Sequence, residues 1–334
     1  MTLLTFQKNA PVLADQTAGA PWTRCNELPQ LTTTVPREYV HRSSLAEVFL
    51  TGCTKIDDNV FSLTGQWPRA HTFFTSADGT SHDPVQAGET IRQVGLFLCH
   101  AEYGVPLGHN VLLWTLGFES DLSQLHIGSS PTELELIATC TDFAWKGNRF
   151  SGFLRVTIRR SGEVAASGTA LFSCVPPAVY RRVRGERGPG ALLEPLARET
   201  PVPAATAGRL LPFDVVLAPS DRPDRWLLNP DLGHPILFEH ANDHHPGMVL
   251  VEAARQAAYS LLPDAAFTPS GIETAFHSYA ELDAPCWIDA REIPAAEGSG
   301  VRMVEVTGHQ DGRKIFAATV TGTVGAEHGG RRRV

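Results

Sequence analysis

Two stretches of the chain place a glutamate, an arginine three positions later and a glutamine four positions later, and the stretches lie 163 residues apart. They are Glu89, Arg92 and Gln93 in the first stretch, and Glu252, Arg255 and Gln256 in the second. Residues at this spacing share one face of a helix, and their neighbours are mostly apolar, which is typical of a buried helix. A charge in such a helix is costly and needs a reason. The repetition therefore predicts a duplicated unit whose helix carries chemistry.

Each glutamate is a candidate catalytic base, because burial raises the pKa of a carboxyl group. Hydrogen bonds from the neighbouring arginine oppose that rise, so the sequence leaves the direction of the shift open. Arg255 or Arg92 can hold a phosphate group with two parallel hydrogen bonds. Gln256 and Gln93 either contact the substrate or only make packing hydrogen bonds.

A histidine-rich loop precedes the second motif and supplies further candidates. We expect His244 to be catalytic, the alternative being that it only caps its loop, and we expect His240 and Gly247 to bind substrate. Amides at the start of a helix near Gly247 can donate to a developing oxyanion. His82 is the expected substrate-binding counterpart in the first stretch. The spacing of His240, Asp243 and His244 resembles a metal motif, but the Pro-Gly that follows indicates a loop, so no metal site is predicted.

The same order of elements surrounds both motifs. A strand-like run comes first, at 45–56 and at 210–218, and a helix follows, at 84–102 and at 246–261. Strands with alternating apolar residues come next, and in the second copy they are predicted at 273–282, 286–293, 301–310 and 313–324. Two-residue hairpin turns at Ser161-Gly162 and Asp311-Gly312 also align, 150 residues apart. Such internal similarity indicates one fold repeated twice.

A buried helix wrapped by a curved antiparallel sheet is the hotdog architecture. We therefore predict an α+β protein with a tandem, or double, hotdog fold. The predicted parts are an N-terminal arm at 1–36, a first hotdog repeat at 37–175, a linker at 176–208, a second hotdog repeat at 209–326 and a disordered tail at 327–334. The second copy is the favoured location of the catalytic site because its loop is richer in histidine.

The composition excludes several classes of function. A net charge of -8 over 334 residues argues against nucleic-acid binding, and the Arg-rich segments at 181–187 and 331–333 are interpreted as solvated linker and tail. The six cysteines are scattered without a Cys-x-x-Cys pair, which indicates reduced thiols rather than a zinc site. We find no signal peptide and no run of about 18 apolar residues, so a cytoplasmic protein without a membrane partner is expected.

Several motifs together resemble one protein family. They are 40–50 (VHRSSLAEVFL), 82–84 (HDP) with 89–93 (ETIRQ), and 240–250 (HANDHHPGMVL) with 252–256 (EAARQ). These residues resemble the A-factor biosynthesis (AfsA-like) family, whose members make γ-butyrolactone and butenolide signalling molecules in actinobacteria. The resemblance covers 37–326 and implies a tandem hotdog fold.

The resemblance also implies a reaction. The implied enzyme joins a 3-oxoacyl group, carried as a thioester on acyl carrier protein, to the hydroxyl of dihydroxyacetone phosphate, and the ester then closes to a phosphorylated butenolide. No cofactor is implied, and pairing into a homodimer is a further expectation. The alternatives are a hotdog dehydratase or thioesterase acting on acyl thioesters, or a module that binds an acyl chain or a lactone without catalysis.

Overall fold

The computed structural model describes residues 32–189, 194–239, 242–262, 267–296 and 298–324. The described residues from Thr34 onward belong to one compact unit. The predicted tail, most of the predicted N-terminal arm and His240 lie outside the described residues. No helix in the described part of the chain is long and apolar enough to cross a bilayer.

The described chain contains twelve strands and three α-helices. In chain order they are β1 Leu50–Asp57, β2 Val60–Trp67, α1 Val85–Ala101, β3 Asn110–Ser120, β4 Thr132–Lys146, β5 Arg149–Arg160, β6 Glu163–Val175, α2 Pro177–Arg184, β7 Leu217–Pro219, β8 Arg225–Leu228, α3 Gly247–Leu261, β9 Phe267–Phe276, β10 Cys286–Ile293, β11 Val301–Gln310 and β12 Arg313–Val324. The first copy contains β1–β6 and α1, and the second contains β7–β12 and α3.

All these strands join in one antiparallel sheet, in the order β1-β2-β4-β5-β6-β3-β9-β12-β11-β10-β8-β7. Outward from its centre, the two copies present their strands in equivalent order. The central pair is β3 and β9, with registers from Thr115 opposite Ala275 to Glu119 opposite Gly271. Each copy wraps its half of the sheet around its own long helix. The predicted tandem hotdog fold is confirmed.

Alternation along the strands explains which faces are buried. Leu134, Leu136 and Ala138 on β4 are buried, whereas the adjacent Glu133 and Glu135 are exposed. A strand places successive side chains on opposite faces, so this pattern directs one face of the sheet onto α1. The predicted alternation in this region is therefore confirmed.

The two hairpin turns also form as predicted. Ser161 and Gly162 have φ values of 51° and 86°, and Asp311 and Gly312 have φ values of 50° and 72°. Two consecutive residues with positive φ are the requirement of a type I′ turn, which matches the twist of the flanking strands.

Some boundaries differ from the prediction. Strand β9 covers Phe267–Phe276 rather than 273–282. The first strand of each copy begins later than expected, because a 3₁₀ turn precedes it, at Leu45–Glu47 in the first copy and at Pro212–Asp214 in the second. The segment interpreted as a linker contains the helix α2, which has a structural role at the site.

Candidate active site

Glu252 on α3 lies at the centre of a buried ionic network. Its carboxylate accepts hydrogen bonds from Arg209 Nε at 2.7 Å, Arg255 Nε at 3.0 Å and Gln256 Nε2 at 2.5 Å. Burial alone would raise the pKa of Glu252, but the attraction of Arg209 and Arg255 outweighs it and lowers the pKa to about 2. The direction that the sequence left open is therefore downward, and Glu252 is a carboxylate at neutral pH.

Glu89 on α1 has an equivalent network in the first copy. It accepts hydrogen bonds from Arg92 Nε at 2.8 Å and Gln93 Nε2 at 2.8 Å, and Arg42 Nη2 lies 2.7 Å from it. Burial raises the pKa of Glu89, but the charges of Arg42 and Arg92 lower it overall to about 2. A carboxylate held by two guanidinium groups is a weak base, which argues against the expected role of either glutamate as catalytic base.

In each copy, the motif glutamine joins the long helix by hydrogen bonds to the segment that precedes the first strand. Gln93 Oε1 accepts from the amide of Phe49 at 2.9 Å, and Gln256 Oε1 accepts from the amide of Val216 at 2.9 Å. Their side-chain amides also donate to main-chain oxygens, at distances of 2.7 Å and 2.8 Å. Both glutamines are fully buried. The geometry favours the packing role over contact with substrate.

Arg42 and Arg209, which are 167 residues apart in sequence, connect the two copies. Arg42 Nη1 donates to the main-chain oxygen of Ile236 at 3.0 Å and to Glu239 at 2.9 Å, both in the second copy. Arg209 Nη1 donates to the main-chain oxygen of Phe73 at 2.6 Å and lies 3.2 Å from Asp83, both in the first copy. Their equal spacing from the first strand of each copy is the sequence signal that could have identified them.

Two cavities meet at the start of α3. The large cavity has a volume of about 970 Å³, and the small cavity has a volume of about 610 Å³. His244, Gly247 and Leu113 line both of them, so each cavity lies between the second copy and strand β3 of the first copy. Glu89, Glu252, Arg255 and the two motif glutamines line neither cavity.

The large cavity has mainly apolar walls, to which Leu112, Val175, Val179, Leu250, Phe276 and Ile315 contribute. The small cavity is lined by Arg42, Arg92, His109 and Asn110, and also by Glu239 and Asp243. Arg92 keeps 21% of its side chain exposed, whereas the Arg255 side chain is 5% exposed. Of the two arginines expected to bind phosphate, the structure therefore places Arg92 at a cavity and Arg255 away from one.

His244 and Asp243 form a hydrogen-bonded pair where the cavities meet. His244 Nδ1 lies 2.6 Å from the carboxylate of Asp243, which can only accept when ionised, so Nδ1 is the donor in this pair and Nε2 is the ring nitrogen that the pair does not use. Burial raises the pKa of Asp243, but hydrogen bonds from His244 and Tyr180 lower it overall to about 2. An ionised Asp243 thus orients His244 as a base, which is the arrangement that general acid–base catalysis needs.

Helix α2 holds this pair in place. The Tyr180 hydroxyl donates to Asp243 at 2.8 Å, and Arg184 Nε donates to the same carboxylate at 3.1 Å. Arg184 also donates to Glu281 at 2.8 Å and 2.7 Å, and its guanidinium lies 4.3 Å from the ring centroid of Tyr279. We missed these residues because we interpreted α2 as linker. The signal was the i, i+4 spacing of Tyr180 and Arg184, which share a helix face.

His245 and His82 occupy equivalent positions, 163 residues apart, and have similar environments. Both are buried, and neither Nδ1 has a hydrogen-bond partner among the described residues. Burial lowers the pKa of each to about 4, so both are neutral at pH 7. His82 lines neither cavity, and its Nε2 lies 3.0 Å from the Thr132 hydroxyl, which differs from the substrate contact that we expected. A buried neutral histidine here is thus a feature of both copies.

A family model described as the A-factor biosynthesis hotdog domain (AfsA) matches residues 23–176 and 194–326. A 2-oxo-3-(phosphooxy)propyl 3-oxoalkanoate synthase of Streptomyces virginiae is 48% identical over 297 residues, covering 89% of this chain and 99% of that protein. A protein of the same name from Streptomyces coelicolor is 40% identical over 298 residues, covering 89% and 94%.

Among solved structures, the 12:0-ACP thioesterase from Umbellularia californica aligns at a TM-score of 0.47 with 12% identity, covering 81% of this chain and 98% of that one. The family model and the relatives each span most of the chain. The chain therefore belongs to the A-factor biosynthesis hotdog domain family, AfsA.

Proposed function

We propose that the protein is an acyltransferase that condenses a 3-oxoacyl thioester, carried on acyl carrier protein, with dihydroxyacetone phosphate. The product is a 2-oxo-3-(phosphooxy)propyl 3-oxoalkanoate, the compound in the name of the Streptomyces relatives. The observation that carries the proposal is that a large cavity with mainly apolar walls and a small cavity bordered by Arg42 and Arg92 meet at the His244–Asp243 pair. A fatty chain and a small phosphate ester need this combination of surfaces.

The large cavity takes the acyl chain, because its walls are apolar and burial of each methylene contributes about 0.8 kcal/mol. The small cavity takes dihydroxyacetone phosphate, with Arg92 and Arg42 next to the phosphate. Arg92 uses Nε and Nη2 for its described hydrogen bonds, so Nη1 remains to donate to a phosphate oxygen. Arg42, whose guanidinium pairs with both Glu89 and Glu239, holds this wall of the small cavity in place.

His244 is the proposed base. Its Nε2 takes the proton of the acceptor hydroxyl while the hydroxyl oxygen attacks the thioester carbonyl carbon. The amides of Gly247 and Met248, in the first turn of α3, are those that a helix leaves without an intrahelical acceptor, and they stabilise the oxyanion. The carbon–sulfur bond then breaks, and the proton passes from His244 to the leaving thiolate. The ester closes by intramolecular aldol-type condensation to the phosphorylated butenolide.

Glu252, Glu89 and Arg255 have a different role in this proposal. They hold the helices and the two copies in position. They affect the reaction only by maintaining the shape of the cavities. His245 supports the loop that carries His244, and Gly247 contributes its amide. We expect the enzyme to act in the cytoplasm, where its proposed substrates are made, and the expected homodimer stays a prediction.

The direct test is a reconstituted reaction with purified protein, a panel of 3-oxoacyl thioesters and dihydroxyacetone phosphate, followed by mass spectrometry. We expect a new phosphorylated ester or butenolide whose formation requires the phosphate substrate. Release of free acid, or loss of water from the thioester without dependence on the phosphate, would instead identify a thioesterase or a dehydratase. If no thioester is consumed, the protein is a binding module.

A further inference from the structure

Exposed cations are concentrated around the mouth of the large cavity. Arg149 and Arg313 line the cavity and are exposed, and Arg181 and Arg182 are exposed on α2, whose Val179 and Val183 also line it. We call these four arginines the basic rim. None of the four makes an ion pair with another described residue, although the chain as a whole has a net charge of -8. These four cations outnumber the exposed Asp311, which also lines the cavity, and the resulting local excess of positive charge attracts an acidic partner.

Large apolar side chains are exposed next to the basic rim. Val183 is 59% exposed and Trp114 is 37% exposed, and both line the large cavity. The guanidinium of Arg149 lies 5.6 Å from the ring centroid of Trp114. Arginine and aromatic residues are enriched at protein–protein interfaces, with apolar residues at their centre. The mouth thus has the composition of a protein-docking surface as well as a positive charge.

Helix α2 holds part of the basic rim at a fixed distance from the His244–Asp243 pair. Tyr180 and Arg184, on its buried face, contact Asp243, and Arg184 also pairs with Glu281. The neighbouring Arg181 and Arg182 therefore project from a helix that is attached to the loop carrying His244. A partner bound at the basic rim would be positioned relative to His244 without any rearrangement of the fold, which lowers the cost of association.

We propose that the basic rim is the docking surface for the acidic carrier protein that delivers the acyl thioester. This inference rests on the proposed function and adds the location of the partner. Carboxylates of the carrier protein pair with the four arginines, its apolar surface covers Val183 and Trp114, and its acyl arm enters the large cavity between them. The arm then ends where His244 and the small cavity meet.

The test compares two donors that carry the same acyl group, one on acyl carrier protein and one on pantetheine, which has neither the protein nor a phosphate. The double variant Arg181→Glu with Arg182→Glu is expected to raise the KM for the protein donor on the order of tenfold and to leave the KM for acyl-pantetheine unchanged. The effect on the protein donor should shrink as salt is added. Arg181→Ala with Arg182→Ala, which adds no negative charge, should act in the same direction.

The matched control is Arg69→Glu with Arg155→Glu. Both residues are exposed and line neither cavity, and the control changes the net charge by the same amount. We expect this control to change the KM for either donor very little. An equal loss in the control, an equal loss with both donors, or no loss with the protein donor would each overturn the docking surface. The acyl-pantetheine reaction of the unmodified protein tests the proposed function separately, because it does not involve the basic rim.

Discussion

The guanidinium of Arg209 lies 2.6 Å from the main-chain oxygen of Phe73, a residue of the other copy. The same guanidinium holds the buried carboxylate of Glu252. Arg42 and Glu89 repeat the arrangement in the opposite direction, with Arg42 reaching Ile236. Glu89 and Glu252 therefore belong to two buried ionic networks that connect the copies, which we call ionic locks. The reactive groups that we propose lie beside these locks, at the start of α3.

The first prediction concerns the lock in the second copy. Glu252→Gln removes the charge that Arg209 and Arg255 share, so that buried Arg255 loses its described carboxylate partner and buried Arg209 keeps only Asp83. Breaking a buried pair in this way costs about 3–5 kcal/mol of unfolding free energy, to be measured by urea denaturation. The control Glu305→Gln removes an exposed partner of Arg291 and should cost less than about 1 kcal/mol. Full stability of the Glu252 variant together with a lower kcat would restore the catalytic role.

The second prediction concerns His244. His244→Ala should lower kcat by about 10² to 10⁴-fold, because it removes the proposed base. The melting temperature should change little, since the His244 side chain is 23% exposed and lines both cavities. Replacing the exposed His126, which lines neither cavity, should leave kcat unaltered. An active His244→Ala enzyme would direct attention to His245 or His240.

The third prediction separates the two arginines of the repeated motif. Arg92→Ala should raise the KM for dihydroxyacetone phosphate by about 10- to 100-fold, the range expected for a lost charge-assisted hydrogen bond. Its KM for the acyl donor should stay the same. Arg255→Ala should lower stability while leaving the phosphate KM of the folded enzyme unchanged. If Arg255→Ala gave the larger increase in phosphate KM, the assignment of the small cavity would be wrong.

The fourth prediction concerns acid stability. Burial lowers the pKa of both His82 and His245 from 6.5 to about 4, so the unfolded chain binds protons more readily than the folded chain between these values. The stability that depends on neutral histidines is thus complete above pH 6.5 and is lost as the pH falls towards 4. The free energy of unfolding should decrease as the pH is lowered from 6.5 to about 4. His82→Gln should reduce the slope of this pH dependence. A slope that is unchanged in that variant would contradict the prediction.

A fifth prediction concerns acyl-chain length. Val179→Phe places a larger side chain on the wall of the large cavity and should shift the preference towards shorter 3-oxoacyl donors. The comparison is kcat/KM across a series of chain lengths. Ile137→Phe, an exposed position on β4 away from both cavities, should leave the series unchanged. An unaltered preference in the Val179 variant would mean that the chain extends elsewhere.

Much of the fold could be predicted from the repeat, because the same sequence pattern occurs in both copies. Alternation in β4 and the aligned Gly162 and Gly312 turns depend on neighbours in sequence, and these predictions were confirmed. The burial of Glu89 and Glu252 was also predicted correctly. Helical spacing does not show which part of the protein the buried face of the helix contacts.

The proposed site depends on contacts between distant segments, which explains why sequence reasoning found it only in part. Glu252 is neutralised by Arg209, which is 43 residues away, and Asp243 is held by Tyr180, which is 63 residues away. The sequence suggested His244 and Gly247 through residue type and position near a helix start, and Arg92 through its spacing from Glu89. It did not reveal α2, whose short Arg-rich segment has the composition of a solvated linker.

The continuous sheet through β3 and β9 makes the two copies partners within one polypeptide. A pair of identical chains would be bound by symmetry to carry two equal reaction centres. Here the first turn of α3 opens onto both the large and the small cavity, whereas the first turn of α1 opens onto neither. The duplicated motifs are therefore not interchangeable: the second copy supplies the helix start at which the cavities meet, the first copy supplies Arg42 and Arg92 to the wall of the small cavity, and mutations at equivalent positions need not have equivalent phenotypes.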